Sequence, residues 1–232
     1  MIKNWYLLKA IIYRGWSTII TFGIAFAFTG QLLTSCGIAF TEVFFKIVTY
    51  YIFEKFWNKI TKKNMKTIWF NGLSCSGKTT IGKKLVEYFE EKNKKVFLLD
   101  GDVLRDGLNK NLGFSVKDRL ENLRRAAEVA NILNQNGVIV IATFITPTNE
   151  MRDNITKIIP NVKFVHLSTS LETCEKRDTK GLYAKARAGQ LKNFTGIDSS
   201  FEDMPNAWLR INTFTETVEE AVEIILKKLE KK

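Results

Sequence analysis

The stretch best equipped for chemistry is Gly72-Leu73-Ser74-Cys75-Ser76-Gly77-Lys78-Thr79. Its two glycines and the closing Lys-Thr pair have the spacing of the Walker A phosphate loop, and they stand between an apolar run, Ile68-Trp69-Phe70, and a helical pattern. Glycines at those places let the backbone N–H groups turn inward around phosphate oxygens, and the following helix presents its N-terminus to the same anion. Lys78 then bridges the β- and γ-phosphates, and the Thr79 hydroxyl ligates Mg²⁺, with Thr80 beside it. The ligand this loop calls for is a nucleoside triphosphate, with ATP as co-substrate and Mg²⁺ as its counterion.

Acidic groups for such chemistry appear once, in Leu98-Leu99-Asp100-Gly101-Asp102. Carboxylates at the C-terminal end of a strand fall where open α/β sheets bind ligands. There they can hold Mg²⁺, partly through water, or take a proton from an attacking hydroxyl. No separate Asp follows the next strand, so Asp100 and Asp102 must serve both ends, a layout of small-molecule kinases. His166, the single histidine, lies in an apolar run and reads as a core or strand-edge residue. Cys36, Cys75 and Cys174 are too few and scattered for a disulfide framework or a zinc site.

These residues need a scaffold, and strand-like and helix-like segments alternate from residue 67 onward. Strands are predicted at Thr67–Asn71, Lys95–Leu99, Val138–Thr143, Lys163–Leu167 and Leu209–Ile211. Helices are predicted at Lys78–Lys92, Asp118–Gln135, Asn149–Ile158 and Val218–Leu229. The pattern is that of an α/β fold of the P-loop NTPase type, nucleotide-kinase-like, with a parallel five-stranded sheet and helices on both faces.

Residues 1–60 are of another kind. An uncharged apolar run, Trp16–Thr29, and a second from Ile38 to Trp57 flank a polar break at Gly30-Gln31. Each is marginal for a membrane span. A short helical membrane hairpin is predicted, with Glu42 and Lys46 paired four residues apart. Residues 61–66 form a polar linker to the domain at 67–232. The net charge of +11 is concentrated here: residues 1–66 hold nine basic and two acidic residues, leaving only +4 for the rest. Basic residues flanking apolar runs fit anionic lipid rather than nucleic acid. With both ends basic, both face the cytoplasm, and the kinase domain with them. A hairpin lying on the membrane surface and a cleaved export signal are the competing readings.

The second domain resembles the adenylylsulfate (APS) kinases over Thr67 to about Leu226. The likeness runs through Trp69-Phe70-Asn71-Gly72-Leu73-Ser74, Asp100-Gly101-Asp102-Val103-Leu104-Arg105, Leu112-Gly113-Phe114-Ser115 and Asp118-Arg119-Leu120-Glu121-Asn122. It continues in Arg177-Asp178-Thr179-Lys180-Gly181-Leu182-Tyr183-Ala184-Lys185-Ala186-Arg187 and Asn193-Phe194-Thr195-Gly196. The resemblance implies a kinase that phosphorylates the 3′-hydroxyl of adenosine 5′-phosphosulfate with MgATP, and a homodimer. It implies an APS site from Arg105, Phe114, Arg119, Asn122, Ile145, Thr146, Lys185 and Phe194. Arg177 and the segment after it look like a lid over ATP. The N-terminal segment is similar to a small family of two-helix membrane domains of unknown function, in Leu8-Lys9-Ala10-Ile11 and in Lys46-Ile47-Val48 through Trp57-Asn58.

Departures from the APS kinase pattern bear on mechanism. Thr146 stands at the position of a serine described in some members as a phosphorylated intermediate; Thr148 and Asn149 replace an aromatic residue and an arginine. Cys75 replaces a usual glycine, and Ser168 a common Asp. Direct in-line transfer, with Asp102 polarising the acceptor hydroxyl, is expected over a covalent step at Thr146. The alternatives are a phosphotransferase acting on another nucleotide-linked acceptor, and a catalytically inactive, membrane-bound nucleotide sensor.

Overall fold

A computed structural model describes residues 2–38, 40–43, 45–46 and 67–230, with only the backbone for residues 2–14. The chain divides into two compact units, Met1–Lys63 and Asn64–Lys232. In the first, helix α1 (Ile2–Thr29) begins well before the predicted apolar run, because nothing between Ile2 and Trp16 breaks a helix. Gly30, at φ +62°, ends it, and residues 32–38, 40–43 and 45–46 are helical again. Polar groups join the two stretches: Lys46 Nζ donates to Ser17 Oγ at 2.7 Å, and Thr29 and Ser35 share a hydroxyl contact at 3.0 Å. Lys46 also pairs with Glu42, as the spacing predicts. Among the described residues no helix is long and apolar enough to cross a membrane. Most of the second apolar run and the 61–66 linker lie outside the described residues.

The second unit is a parallel sheet of five strands: β1 (Thr67–Asn71), β2 (Val96–Asp100), β3 (Ile139–Phe144), β4 (Lys163–Leu167) and β5 (Leu209–Ile211). Their order is β2-β3-β1-β4-β5. β1 lies at the centre, all five of its residues buried. Its alternation divides the core. Ile68 and Phe70 face Ile81 and Leu85 of α2 (Lys78–Glu91) and Ala221 and Ile225 of α8 (Val218–Glu230). Trp69 faces the opposite layer, with Ala126 and Ala130 of α4 (Val116–Gln135) and Met151 and Ile155 of α5 (Asn149–Ile158). Burying each such large apolar side chain contributes about 1.5–3 kcal/mol.

Three short helices complete the unit: α3 (Gly101–Asp106), α6 (Leu171–Lys176) and α7 (Leu182–Arg187). None was predicted, since six residues are too few to establish a 3.6-residue period. Two of them form at side-chain caps instead, and α7 follows the left-handed Gly181. The Asp100 side chain accepts from the Asp102 amide at 2.9 Å and starts α3, and Ser170 accepts from the Thr173 amide at 3.2 Å to start α6.

Candidate active site

All five strands end on one edge, and the phosphate loop follows the central one. Gly77, at φ +93°, takes the left-handed turn that starts α2. Cys75 is left-handed too, at φ +57°, where glycine would fit without cost. The Lys78 ammonium folds back onto the carbonyls of Leu73 at 2.5 Å and Gly72 at 3.1 Å. Burial pushes its pKa down to about 8, against the opposing pull of Cys174, Cys75, Asp102 and Asp100. A cleft of about 640 Å³ opens beside it, lined by Cys75, Gly77, Lys78, Thr79, Thr80, Arg177, Lys180 and Thr213. Leu73 and Ser76 are buried in the loop's base, and Ser74 and Gly72 complete its turn.

Asp100 joins this loop to the sheet. Its Oδ2 accepts from Thr79 Oγ1 at 2.8 Å and from Thr143 Oγ1 at 2.7 Å, Thr143 being its register partner on β3. Burial opposes ionisation, but the Thr143 and Thr79 hydroxyls and the backbone N–H groups of Asp102 and Val103 outweigh it. The carboxyl is therefore held below its ordinary value and stays charged. Asp102, by contrast, projects into the open and meets Lys180 Nζ at 3.2 Å.

Arg105 lies within the field of Asp102, and Arg119 and Phe114 gather about Arg105. Arg105 lies over the Phe114 ring at 4.3 Å, within cation–π range, and donates to the carbonyls of Leu112 and Gly113. Arg119 donates to the Phe114 carbonyl at 3.0 Å, to Thr195 Oγ1 at 2.9 Å and to the Asn193 carbonyl. It thus staples the two loops that carry Phe114 and Phe194. Phe114 is 57% exposed, whereas Phe194 packs edge-on against Tyr183 at 4.9 Å. Asn122 is buried, its Oδ1 accepting from Asn109 Nδ2 at 2.9 Å.

Beyond β3, Ile145 is half-buried and Thr146 fully buried. The Thr146 hydroxyl accepts from Trp69 Nε1 at 2.9 Å, and its amide donates to Asn71 Oδ1 at 3.0 Å. Thr148 caps α5, and Asn149 Oδ1 accepts from Arg152 at 2.9 Å. Arg152 is buried and clamps this loop through the carbonyls of Thr146, Pro147, Glu202 and Asp203. His166 is a core residue as predicted, 2% exposed, and burial lowers its pKa to about 4. Lys185 is exposed on α7 and does not line the cleft. Lys180, five residues earlier in the same segment, does; the sequence signal for either lysine is the same charge-rich run.

Arg177 donates to the Thr213 hydroxyl and carbonyl, each at 2.7 Å, which fastens the start of the lid-like segment beside the phosphate loop. Among the described residues no group of three or more His, Cys, Asp or Glu could by itself hold a metal ion.

Residues 64–212 match the family model described as adenylylsulphate kinase, and residues 7–58 match a predicted membrane protein family, DUF2061. The adenylyl-sulfate kinase of Bacteroides thetaiotaomicron is 48% identical over 171 residues, covering 71% of this chain and 85% of that protein. That of Picosynechococcus sp. is 45% identical over 163 residues, covering 70% and 92%. Among solved structures, the Mycobacterium tuberculosis APS kinase CysC in complex with AMPPNP and APS superposes with a TM-score of 0.69 at 42% identity, covering 71% of this chain and 97% of that one. A hexameric APS kinase from Thiobacillus denitrificans gives 0.55 at 28% identity, covering 72% of this chain and 29% of that one. With its phosphate loop, strand-end carboxylates and arginine–phenylalanine cluster in one arrangement, the chain belongs to the adenylylsulphate kinase family.

Proposed function

We propose that the chain transfers the γ-phosphate of ATP to the 3′-hydroxyl of adenosine 5′-phosphosulfate, giving ADP and 3′-phosphoadenosine 5′-phosphosulfate. The observation that carries this reading is the open carboxylate of Asp102, which pairs with Lys180 of the phosphate-loop cleft and acts on the charge of Arg105, itself lying over the Phe114 ring. ATP lies along the loop with Lys78 on its β- and γ-phosphates and Arg177 lining the same cleft. The acceptor's phosphate and sulfate oxygens meet Arg105 and Arg119, whose planar forks suit such anions. Phe114 and Phe194 hold its purine by stacking, worth about 1–3 kcal/mol per base. The 3′-oxygen attacks in line, its proton passes to Asp102, and the bond to the ADP oxygen breaks.

The Thr79 hydroxyl and the Asp100 carboxylate, 2.8 Å apart, are hard oxygen donors of the kind Mg²⁺ takes together with phosphate oxygens and water. When bound, Mg²⁺ neutralises charge on the β- and γ-phosphates. Transfer is direct rather than through Thr146: a buried hydroxyl already accepting from Trp69 is poorly placed to meet a γ-phosphate. Thr148 and Asn149, the departures that favour another acceptor, are spent on capping α5 and holding Arg152. Residues 1–60 anchor the kinase to lipid with its catalytic unit on the cytoplasmic side, a reading supported by the DUF2061 match and by the basic flanks. A homodimer is expected and is tested by mass in solution.

The test is ADP release with MgATP and a panel of acceptors: APS, adenosine 5′-phosphate, a uridine diphosphate sugar, and buffer. Turnover with APS well above the rest supports the reading. Preference for another acceptor, or nucleotide binding with no turnover on any, overturns it.

A further inference from the structure

Two carbonyls of the phosphate loop are turned outward by hydroxyls from distant parts of the chain. Tyr183 Oη, on α7, donates to the Ser74 carbonyl at 3.0 Å. Thr213 Oγ1, just past β5, donates to the Ser76 carbonyl at 3.1 Å. A trans peptide is planar, with its C=O and the next N–H pointing opposite ways. Each outward carbonyl therefore turns the following amide, that of Cys75 or of Gly77, to the inner side. Neither amide makes a hydrogen bond among the described residues, whereas the Ser76 amide is spent on the Leu73 carbonyl at 3.3 Å. Holding the first peptide matters more here because Cys75 is left-handed and carries a Cβ, so an untethered loop would relax away from this shape.

Both donors are themselves held. Tyr183 is 2% exposed, packs with Leu73 and Cys174, meets Phe194 edge-on, and ties its own amide to Asp178 Oδ2 at 2.7 Å. Burial raises its phenol pKa, so the hydroxyl keeps its proton to donate. Thr213 Oγ1 gives its hydrogen to Ser76 and accepts from Arg177, and its 2.8 Å contact with Thr169 Oγ1 is then an acceptance as well.

We propose that Tyr183 and Thr213 are positioning residues for the donor triphosphate, holding the Ser74–Cys75 and Ser76–Gly77 peptides with their N–H groups toward its phosphate oxygens. The inference rests on reading this loop as the ATP site and is independent of which acceptor the enzyme uses. It also gives the lid-like segment a second task, since the residue that anchors its helix shapes the loop beneath.

The test compares full-length protein with Tyr183→Phe, which removes one oxygen and keeps the ring, and with Thr213→Val. Affinities are measured by calorimetry for Mg²⁺-AMPPNP and for Mg²⁺-tripolyphosphate, which has neither base nor ribose. Each substitution is expected to weaken both ligands by about five- to tenfold, the worth of one hydrogen bond. A loss for AMPPNP alone would move the effect to the adenosine and overturn the inference. So would unchanged affinity for both in a variant that melts like the parent. If Tyr183→Phe does not fold, Thr213→Val carries the same expectation by itself. Parent protein that binds AMPPNP but does not phosphorylate APS sinks the acceptor assignment, and the two affinities still decide the roles of Tyr183 and Thr213.

Discussion

Lys78 carries the site's most consequential charge, and its environment sets a pH dependence. With the free-enzyme pKa lowered to about 8, the ammonium is intact below that pH and is lost as pH rises through it. Only the protonated form draws in a triphosphate, so kcat/KM for ATP should fall above about pH 8. Bound phosphate raises the pKa of a neighbouring ammonium, so kcat at saturating ATP should hold to higher pH. Stopped assays across pH 6–10 check both limbs. Thr146→Val separates direct from covalent transfer. It should cost some stability by leaving the Trp69 indole without its acceptor, about 1–3 kcal/mol. Turnover should fall by less than about tenfold, against the thousandfold or more expected for an obligatory nucleophile. Much of this chemistry was legible in the sequence, because Lys78, Thr79, Asp100 and Asp102 sit at fixed offsets from a strand and a helix. Tyr183, Thr213 and Lys180 were not singled out, since their partners are 109, 137 and 78 residues away and no local pattern joins them.

At the scale of elements, the five strands of the second unit were readable from apolar runs, and its four longer helices from periodicity. The ends moved by one or two residues, where caps rather than periodicity decide: Ser115 accepts from the Asp118 amide, so α4 starts at Val116 rather than Asp118. Close approach of elements could not be read. Gly82 brings α2 against β3, and a Cβ built there would lie 2.9 Å from Thr143 Cγ2 and 3.2 Å from Leu98 Cδ1. Thr143 is also the residue that fixes Asp100. Gly82→Ala should therefore destabilise the unit by about 1–3 kcal/mol despite alanine's better helix propensity, as overpacking does. It should also weaken Mg²⁺-dependent turnover by shifting Thr143. Thermal melting and a Mg²⁺ titration of activity read the two effects; a variant melting higher than the parent would show that the contact yields.

Across the whole molecule, the crossover order β2-β3-β1-β4-β5 places the loop after β1 next to the end of β3, with the end of β2 one strand further out, so that Thr79, Asp100 and Thr143 converge from segments far apart in sequence. The two units have different chemistries, and removing residues 1–63 should free the protein from membranes while retaining APS-dependent turnover. Flotation with vesicles before and after the deletion, alongside activity, checks this; a folded but inactive remainder would make the first unit part of the catalyst. The most direct measurement of the phosphoryl transfer follows the label from γ-³²P-ATP when full-length protein, Mg²⁺ and APS are combined. A labelled product carrying the phosphate on the 3′-oxygen is expected, formed in step with ADP. Label that remains in ATP, or passes only to water, while the protein is shown to bind the nucleotide, would contradict transfer to the acceptor.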